Sequence, residues 1–226
     1  MGKIIAIDGP AGAGKSTIAR RVASRLGFTY IDTGAMYRAL ALWALRQNLD
    51  PSDMHRMEQL ALAADISLEP AAARVSLNGE DVTEAIRTPA VSDAASRVAA
   101  IPAVRRAMVD KQRAMGIAQN VVMEGRDIGT VVFPQANVKI FLDADPEARV
   151  DRRQTQTGGA KETIAGEIAD RDRRDSTRPD SPLAQAPDAV YVNSTPLTIE
   201  EVEEEVLRLV RERISNGKDY RDPNQK

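Results

Sequence analysis

The sequence predicts an α/β fold in which five parallel strands form a central sheet flanked by helices. Five short apolar runs alternate with segments whose apolar residues recur every three or four positions, as in amphipathic helices. Such alternation is typical of a parallel sheet with helices on both faces. A glycine-rich loop separates the first strand from the first helix, and one region between residues 66 and 100 interrupts the alternation.

The predicted elements have recognisable ends. The first helix follows the glycine-rich loop and stops at Gly27, and a second helix follows the second strand to about Gln47. Pro146 suits the first turn of the helix after the fourth strand. A capping box, Thr198-x-x-Glu201, opens the last helix. The predicted strands are KIIAID (3–8), FTYID (28–32), VVMEG (121–125), VKIFLDA (138–144) and AVYVN (189–193).

The interrupting region has a different pattern. Residues 66–86 contain strand-forming residues around Asn78-Gly79, which is a favoured hairpin turn. Residues 91–108 then predict two helices that are separated at Pro102. A small antiparallel insertion in a parallel domain suits an arm over a ligand, although an ordinary surface excursion would give the same pattern.

The composition excludes several classes of site and partner. With no cysteine and one histidine, His55 in a polar stretch, the chain offers no disulfide, cysteine nucleophile or Cys/His zinc site. The net charge of −2 gives no global attraction to nucleic acid or anionic membrane. No apolar run approaches the roughly 18 residues of a membrane span, and the first apolar run is too short for a signal peptide. We therefore expect a cytoplasmic protein without nucleic-acid or membrane partners.

Residues 9–16, GPAGAGKS, match the phosphate-loop pattern G-x-x-x-x-G-K-[ST]. Glycines allow the loop to curve so that backbone N–H groups point at phosphates, and the following helix places its positive end at the same site. Lys15 would reach the outer phosphates, and the Ser16 hydroxyl would bind the Mg²⁺ that accompanies ATP. The predicted ATP-binding residues are Gly9, Pro10, Ala11, Gly12, Ala13, Gly14, Lys15, Ser16 and Thr17.

A phosphate loop does not by itself identify a reaction. The sequence has no NKxD-type guanine motif and no D-x-x-G switch after its early strands, and it is short for a motor ATPase. A small kinase that phosphorylates a bound small molecule remains. The alternative from another class is a non-catalytic module whose arginines contact RNA. The acidic charge and the aromatic content of 4% argue against it, because single-strand binders stack bases on aromatic rings.

Four further segments resemble one known family: YIDTGAMYRAL (30–40), VVMEGRDIGTVVFP (121–134), KIFLDAD (139–145) and DRDRRDSTRPDSPL (170–183). With them, the chain resembles the bacterial cytidylate kinases of the nucleoside monophosphate kinase family from Lys3 to about Ile214. The resemblance implies a P-loop kinase fold with a five-stranded parallel core, an inserted monophosphate-binding arm and a mobile lid. It implies phosphorylation of CMP and dCMP by MgATP in pyrimidine metabolism; a kinase for UMP, AMP or another small metabolite is the alternative.

The resemblance also implies roles for single residues. Arg38 and Arg126 would contact the acceptor phosphate, while Asp127 would accept a hydrogen bond from the exocyclic amine that distinguishes cytosine from uracil. Asp175 would bind the sugar hydroxyls, and Glu124, where the family often has aspartate, would bind magnesium through water. The implied catalytic residues are Lys15, Arg126, Arg171 and Arg178, and the implied CMP-binding residues are Asp32, Thr33 (often serine in the family), Arg38, Ser96, Arg105, Arg126, Asp127, Arg171, Asp175 and Arg178.

The charged run DRDRRDSTR (170–178) has a simpler alternative, since i,i+4 salt bridges on a solvated helix would use the same residues. Arg152 and Arg153, before the stretch TQTGGAK, suit a lid that brings positive charge to the site. We expect one monomeric domain over residues 1–216. Within it, the arm would span about 66–100 and the lid about 152–174, and residues 217–226 would form a frayed tail.

Overall fold

The computed structural model describes residues 2–69 and 73–215 of the chain. The predicted tail therefore lies outside the described residues. A 3-10 turn at Ala85–Arg87 and a π-helical segment at Ile128–Val132 accompany the main elements. These are β1 (Ile4–Asp8), α1 (Lys15–Leu26), β2 (Thr29–Asp32), α2 (Thr33–Arg46), α3 (Met54–Ala63), β3 (Ile66–Glu69), β4 (Arg74–Leu77), β5 (Glu80–Asp81), α4 (Pro89–Val98), α5 (Pro102–Ile117), β6 (Val121–Gly125), β7 (Val138–Asp143), α6 (Pro146–Thr157), α7 (Lys161–Thr177), β8 (Val190–Asn193) and α8 (Ile199–Ser215).

The central sheet has five parallel strands in the order β2-β6-β1-β7-β8, which confirms the predicted fold class. The predicted strands agree with the observed ones within one residue at each end. Strand β1 lies in the middle and is buried along its whole length. The carboxyl ends of β1, β2 and β6 lie next to each other, because Asp8 pairs with Gly125 and Asp32 pairs with Glu124. Ligand sites of open parallel sheets lie at this edge.

Apolar side chains cover both faces of the sheet. On one face, Ile5 and Ile7 pack with α1 and α8 in a buried cluster that includes Val22 and Val206. On the other face, β1 and β6 pack against α5 and the Ile128–Val132 segment. Alternate side chains of a strand point to opposite faces, so a strand covered by helices on both sides consists almost entirely of apolar residues.

The interrupting region forms a small sheet with its own core. Strands β3, β4 and β5 are antiparallel, and the turn between β4 and β5 places Asn78 and Gly79 at φ 51° and 81°. Both values are positive, as a type I′ hairpin turn requires. Helices α4 and α5 separate at Pro102 as the sequence predicts. This three-stranded sheet fits an inserted arm, and its apolar residues pack with α2, α3, α4 and α5.

The capping box at the last helix is also confirmed. The Thr198 amide donates to the Glu201 carboxylate at 2.8 Å, and the Glu201 amide donates to the Thr198 hydroxyl at 3.2 Å. These bonds satisfy amides that have no partner inside the helix. Among the residues that the structure describes, no helix is long and apolar enough to cross a membrane.

Candidate active site

The phosphate loop connects β1 to α1 and takes a conformation that only glycine tolerates at two positions. Gly9 and Gly12 have φ values of 150° and 78°. A Cβ atom at Gly9 would lie 1.9 Å from the Leu142 carbonyl oxygen, and one at Gly12 would lie 3.0 Å from the Arg149 carbonyl oxygen. The loop therefore packs directly against the backbone of β7 and α6. Its predicted hydroxyl residues, Ser16 and Thr17, are exposed on the first turn of α1.

Lys15 begins helix α1 and is buried at the carboxyl edge of the sheet. Its ammonium group donates to the Pro10 carbonyl at 2.6 Å. Burial, and then the charge of Arg126, lower the pKa of Lys15 to about 7. Burial thus disfavours the charged form of this ammonium group, and a phosphate beside it would favour that form.

Side chains of helices α6 and α7 hold the phosphate loop in place through hydrogen bonds. The Ala11 amide donates to a carboxylate oxygen of Asp172 in α7 at 3.1 Å, and the Ala11 carbonyl accepts from Arg149 in α6 at 3.1 Å. Arg149 also donates to Asp172. Arg152 donates to the Ser194 hydroxyl at 2.8 Å and to its carbonyl at 2.7 Å. Sequence reasoning missed Asp172, Arg149 and Ser194, because they lie far from the loop along the chain.

Asp8 connects the end of β1 to the segment after β6. Its carboxylate accepts from the Ile128 amide at 2.8 Å and from the Gly129 amide at 2.7 Å. Burial raises the pKa of this carboxyl to about 6, although the two amide bonds act in the opposite direction. These bonds fix the backbone next to Asp127, so Asp8 determines where the EGRDIG segment presents its side chains. The sequence analysis assigned Asp8 no role.

A pocket lies beside the loop at the carboxyl edge of the sheet. It brings together eight of the ten residues predicted to bind CMP, drawn from α2, α4, α5, the segment after β6, and α7 with its C-cap. Tyr37 joins them, with the Arg105 guanidinium 5.5 Å from the centroid of its ring. Apart from its place in TGAMYR, no sequence signal could have indicated that Tyr37 lines the pocket. The predicted residues that line the pocket are Thr33, Ser96, Arg105, Arg126, Asp127, Arg171, Asp175 and Arg178.

Two buried carboxylates organise the four guanidinium groups of the pocket. Asp175 lies 2.9 Å from Arg126 and 3.5 Å from Arg178. Asp127 pairs with Arg105 and lies 3.8 Å from Arg178. Burial alone would raise the pKa of Asp175, but its arginine neighbours outweigh that effect and hold the pKa below its usual value.

The pocket has more positive than negative charge, and this excess affects the arginines themselves. Burial, and then the charge of Arg126, lower the pKa of Arg171 to about 10. Burial, and then Arg105, lower the pKa of Arg178. Within the described residues, five buried polar atoms of the pocket have no hydrogen-bond partner: Tyr37 Oη, Ser96 Oγ, Arg105 Nε, Arg171 Nε and Arg178 Nη2. Buried polar groups without partners are rare and indicate a site that a polar ligand completes.

Asp32 and Arg38 lie next to this pocket without lining it. Asp32 ends β2, caps α2 by accepting from the Ala35 amide at 2.8 Å, and pairs with Arg38 at 3.0 Å. The pocket-lining Gly34 lies between them, since a Cβ atom there would approach both side chains within 3.2 Å. In this structure Arg38 is thus partly buried in an ion pair with Asp32.

The charged run 170–178 contains both arrangements that the sequence allowed, namely pocket residues and a salt bridge on a solvated helix face. Arg171, Asp175 and Arg178 line the pocket. Arg173 instead pairs with Asp170 at 2.8 Å, and both side chains are exposed. The run is therefore part of a pocket on one side of the helix and an ordinary solvated salt bridge on the other.

Oxygen atoms suited to a magnesium ion lie where the loop meets β6. Glu124 is buried, accepts from the Tyr30 hydroxyl, and lies close enough to the Ser16 hydroxyl for the contact to lower its pKa. Burial, and then Asp32, act in the opposite direction and leave that pKa raised. No group of three or more acidic, histidine or cysteine side chains in residues 2–69 and 73–215 is arranged so that it could hold a metal ion. This sparse oxygen set fits Mg²⁺, which takes one or two protein ligands together with water and substrate phosphates.

The parallel sheet, the phosphate loop and the basic pocket at its carboxyl edge define the class of P-loop kinases. A solved structure of an uncharacterized protein from Eubacterium ventriosum has this fold, with a TM-score of 0.53 at 10% identity over 92% of this chain and 98% of that one. The family model for cytidylate kinase matches residues 5–212, and the chain belongs to this family. Cytidylate kinase from Solibacter usitatus is 64% identical over 96% of each chain, and that from Pelotomaculum thermopropionicum is 49% identical over 95% of this chain and 96% of its own.

Proposed function

We propose that the protein transfers the γ-phosphoryl group of ATP to CMP and dCMP, giving ADP and CDP or dCDP. The observation that carries this proposal is the pocket beside the phosphate loop. There, four guanidinium groups face only two carboxylates, and five buried polar atoms of the described pocket residues have no hydrogen-bond partner. Such a pocket suits a ligand that has a dianionic phosphate at one end and hydrogen-bonding groups at the other.

The residues of the pocket suggest how the acceptor nucleotide would be oriented when bound. After burial, the charges of Arg126 and Arg171 contribute to the lowered pKa of Lys15, so both groups act on the phosphate-loop side of the pocket. With Arg38, they would hold the acceptor phosphate. Ser96, Arg105 and Asp127 would contact the base at the arm side, where Asp127 accepts from the cytosine amine. Uracil has a carbonyl at that position and would leave Asp127 facing another acceptor, which costs affinity. Asp175 would bind the sugar hydroxyls.

The chemistry needs alignment more than proton transfer. An oxygen of the CMP phosphate attacks the γ-phosphorus of ATP; the new P–O bond forms as the bond to the β-phosphate oxygen breaks, and ADP leaves. The second pKa of a phosphate monoester is near 6, so this oxygen is already deprotonated at neutral pH. The single histidine, His55, is exposed on α3 and has no place in the reaction. Lys15, Arg126, Arg171 and Arg178 would neutralise the charge that spreads over the transferred group.

Residues Ser16 and Glu124 would hold Mg²⁺, Ser16 directly and Glu124 through water. When bound, the ion neutralises charge on the ATP phosphates. The amides of residues 9–17 would bind the same phosphates, as in other phosphate loops. The loop geometry and the sparse oxygen set support these assignments.

The arm and the lid would complete the site. Residues of about 66–100 would close over the acceptor, and residues of about 152–174, the α6–α7 hairpin, would close over ATP and exclude water that would otherwise hydrolyse it. Within residues 1–216 we infer a single domain that acts as a monomer in the cytoplasm, with ATP and CMP or dCMP as its partners and with no role for nucleic acid or membranes.

A coupled assay of ADP release tests the proposal directly. The purified protein with MgATP is offered CMP, dCMP, UMP, AMP and GMP in separate reactions. We expect kcat/KM for CMP and dCMP to exceed that for the other three acceptors by at least about tenfold, the discrimination of one well-placed hydrogen-bonding group. Preference for UMP or AMP would overturn the assignment of Asp127. RNA binding by filter retention without any kinase activity would overturn the proposed reaction.

A further inference from the structure

Tyr30 makes a contact at the phosphate-loop edge that the proposed reaction has not used. It lies in β2, two residues before Asp32, and its hydroxyl donates to Oε1 of Glu124 at the end of β6. The Arg20 guanidinium lies 5.5 Å from the centroid of its ring and covers it from the α1 side. The ring is therefore fixed by the sheet below and by Arg20 above, and its hydroxyl has a defined direction.

The Glu124 carboxylate has several competing neighbours. It is buried, Asp32 repels its negative charge, and Lys15 attracts it. A carboxylate that is free to rotate in this environment would turn toward the Lys15 ammonium, since opposite charges attract strongly away from water. In the structure Lys15 donates to the Pro10 carbonyl instead, while the carboxylate accepts from Tyr30. The phenol thus keeps the carboxylate in a fixed orientation and leaves the ammonium available for phosphates.

We propose that Tyr30 is a positioning residue that orients the Glu124 carboxylate toward Ser16, and that it thereby strengthens binding of the divalent ion that accompanies ATP. This inference rests on the proposed function of the same site. The chemistry is that of outer hydrogen-bond partners at metal sites, which set the direction of the ligand oxygens and commonly change metal affinity by 10–100-fold when removed.

The test removes one oxygen atom. Tyr30→Phe retains the ring, its packing and its contact with Arg20, and it loses only the hydrogen bond to Glu124. Binding of Mn²⁺ to the enzyme–ADP complex is measured from the electron paramagnetic resonance signal of free Mn²⁺. We expect the Kd for Mn²⁺ to rise about tenfold, and the Mg²⁺ concentration for half-maximal kinase rate to rise similarly. The affinity for ADP in EDTA should stay within about twofold, which also reports that the variant is folded.

Two controls separate positioning from a general structural effect. Tyr191→Phe removes a hydroxyl from an exposed tyrosine on β8 that lies 3.4 Å from Asp143, and it should leave both metal measurements unchanged. Glu124→Gln should itself weaken Mn²⁺ binding, and adding Tyr30→Phe to it should cause little further loss, since the effect passes through this carboxylate. If Tyr30→Phe lost ADP affinity in EDTA, the positioning role would still be tested by comparing the Mn²⁺ affinity of Glu124→Gln with that of the double variant Glu124→Gln plus Tyr30→Phe.

The outcomes distinguish this inference from the proposed function. Unchanged Mn²⁺ affinity in Tyr30→Phe, with a wild-type protein that phosphorylates CMP, would overturn the positioning role alone. A tenfold loss of Mn²⁺ affinity in a protein that phosphorylates none of the acceptors would support the positioning role and overturn the reaction. Equal losses from Tyr30→Phe with and without Glu124 would overturn the route through Glu124.

Discussion

At the scale of single residues, the basic pocket at the carboxyl edge of the sheet contains four guanidinium groups and two carboxylates, so positive charge is in excess. Asp127 and Asp175 each contact two or more arginines, and among the described residues Arg105, Arg171 and Arg178 of the pocket each keep one buried guanidinium nitrogen without a hydrogen-bond partner. Pairing fixes the arginine side chains before any ligand arrives, so a phosphate group would meet a preformed site and lose little free energy in ordering it. Arg178, which contacts both carboxylates, is the residue on which this arrangement depends most.

Replacement of Arg178 by alanine tests that role. Because the guanidinium would stabilise charge on the transferred group, we expect Arg178→Ala to lower kcat by about 10³-fold, as for other arginines that act in phosphoryl transfer. Steady-state kinetics with CMP give the value, and circular dichroism checks the fold. The matched control is Arg173→Ala in the exposed pair with Asp170, which should change kcat less than about twofold. A variant at position 178 with more than a tenth of the normal rate would contradict the assignment.

The charge on Asp175 also predicts how stability depends on pH. Its pKa is lower in the folded protein than in the unfolded chain, where it is about 3.9. The ionised side chain therefore stabilises the fold above about pH 4, and this contribution disappears as the pH falls below that value. We expect Asp175→Asn to lower the free energy of unfolding by about 3 kcal/mol at pH 7, since it leaves buried arginines without a counter-ion.

Urea unfolding of both proteins at pH 7, 5, 4 and 3 measures this dependence. The difference between wild type and Asp175→Asn should be the same at pH 7 and pH 5 and should narrow below pH 4. A difference that closes between pH 7 and pH 5 would contradict the lowered pKa of Asp175, because a carboxyl group with such a pKa stays ionised throughout this range.

At the scale of elements, α7 connects the two halves of the site. Arg171 and Asp175 line the basic pocket at the carboxyl edge of the sheet. Asp172, on the same turn, accepts from the Ala11 amide of the phosphate loop and from Arg149 of α6. Consecutive residues of a helix point about 100° apart, so one turn can reach two different ligand sites. A shift of α7 would consequently move the acceptor-side arginine and the phosphate loop together.

Asp172→Ala tests this connection. The variant loses hydrogen bonds with a charged partner, which are each worth about 1.5–3 kcal/mol, so we expect KM for ATP to rise by about tenfold or more. KM for CMP should change by less than about threefold, because the acceptor-side contacts of Arg171 remain. Asp170→Ala, on the exposed side of the same helix, is the control and should leave both constants near those of the wild type. Equal increases in both KM values would indicate a general disturbance of α7.

The distance along the chain between contacting residues explains which features the sequence could predict. The strands, the Asn78-Gly79 hairpin and the Thr198–Glu201 capping box depend on residues that are close in sequence, and the structure confirms them. The contacts that the sequence analysis missed join distant positions: Asp8 to Ile128, Tyr30 to Glu124, and Ala11 to Asp172, which are 120, 94 and 161 residues apart. Hydrophobic periodicity contains no record of such pairs, because they follow from the order of strands in the sheet. The π-helical segment after β6 was missed for the same reason, since Asp8 holds its first two amides.

At the scale of the whole molecule, the proposed reaction requires motion. Two nucleotides must enter, and water must then be excluded before transfer. The α6–α7 hairpin turns at Gly158 and Gly159, both with positive φ. The core formed by the sheet, α1 and α8 has its own buried apolar cluster. We therefore expect the arm and the hairpin to approach each other while the core keeps its shape.

Pairs of spin labels can measure that approach, and the absence of cysteine from the sequence makes the labelling specific. Ser67→Cys in the arm and Thr155→Cys in α6 are both at exposed positions, as are Ser24→Cys in α1 and Arg211→Cys in α8 for the reference pair. Double electron–electron resonance with MgADP and CMP together should shorten the Ser67–Thr155 distance by several ångströms, as domain closure around ligands does, and should leave the core distance unchanged. MgADP alone should give only part of the shortening, because one of the two closing elements would still lack its nucleotide. A full change with MgADP alone would mean that the arm does not respond to the acceptor, and no change with both ligands would contradict the inference that the hairpin acts as a lid.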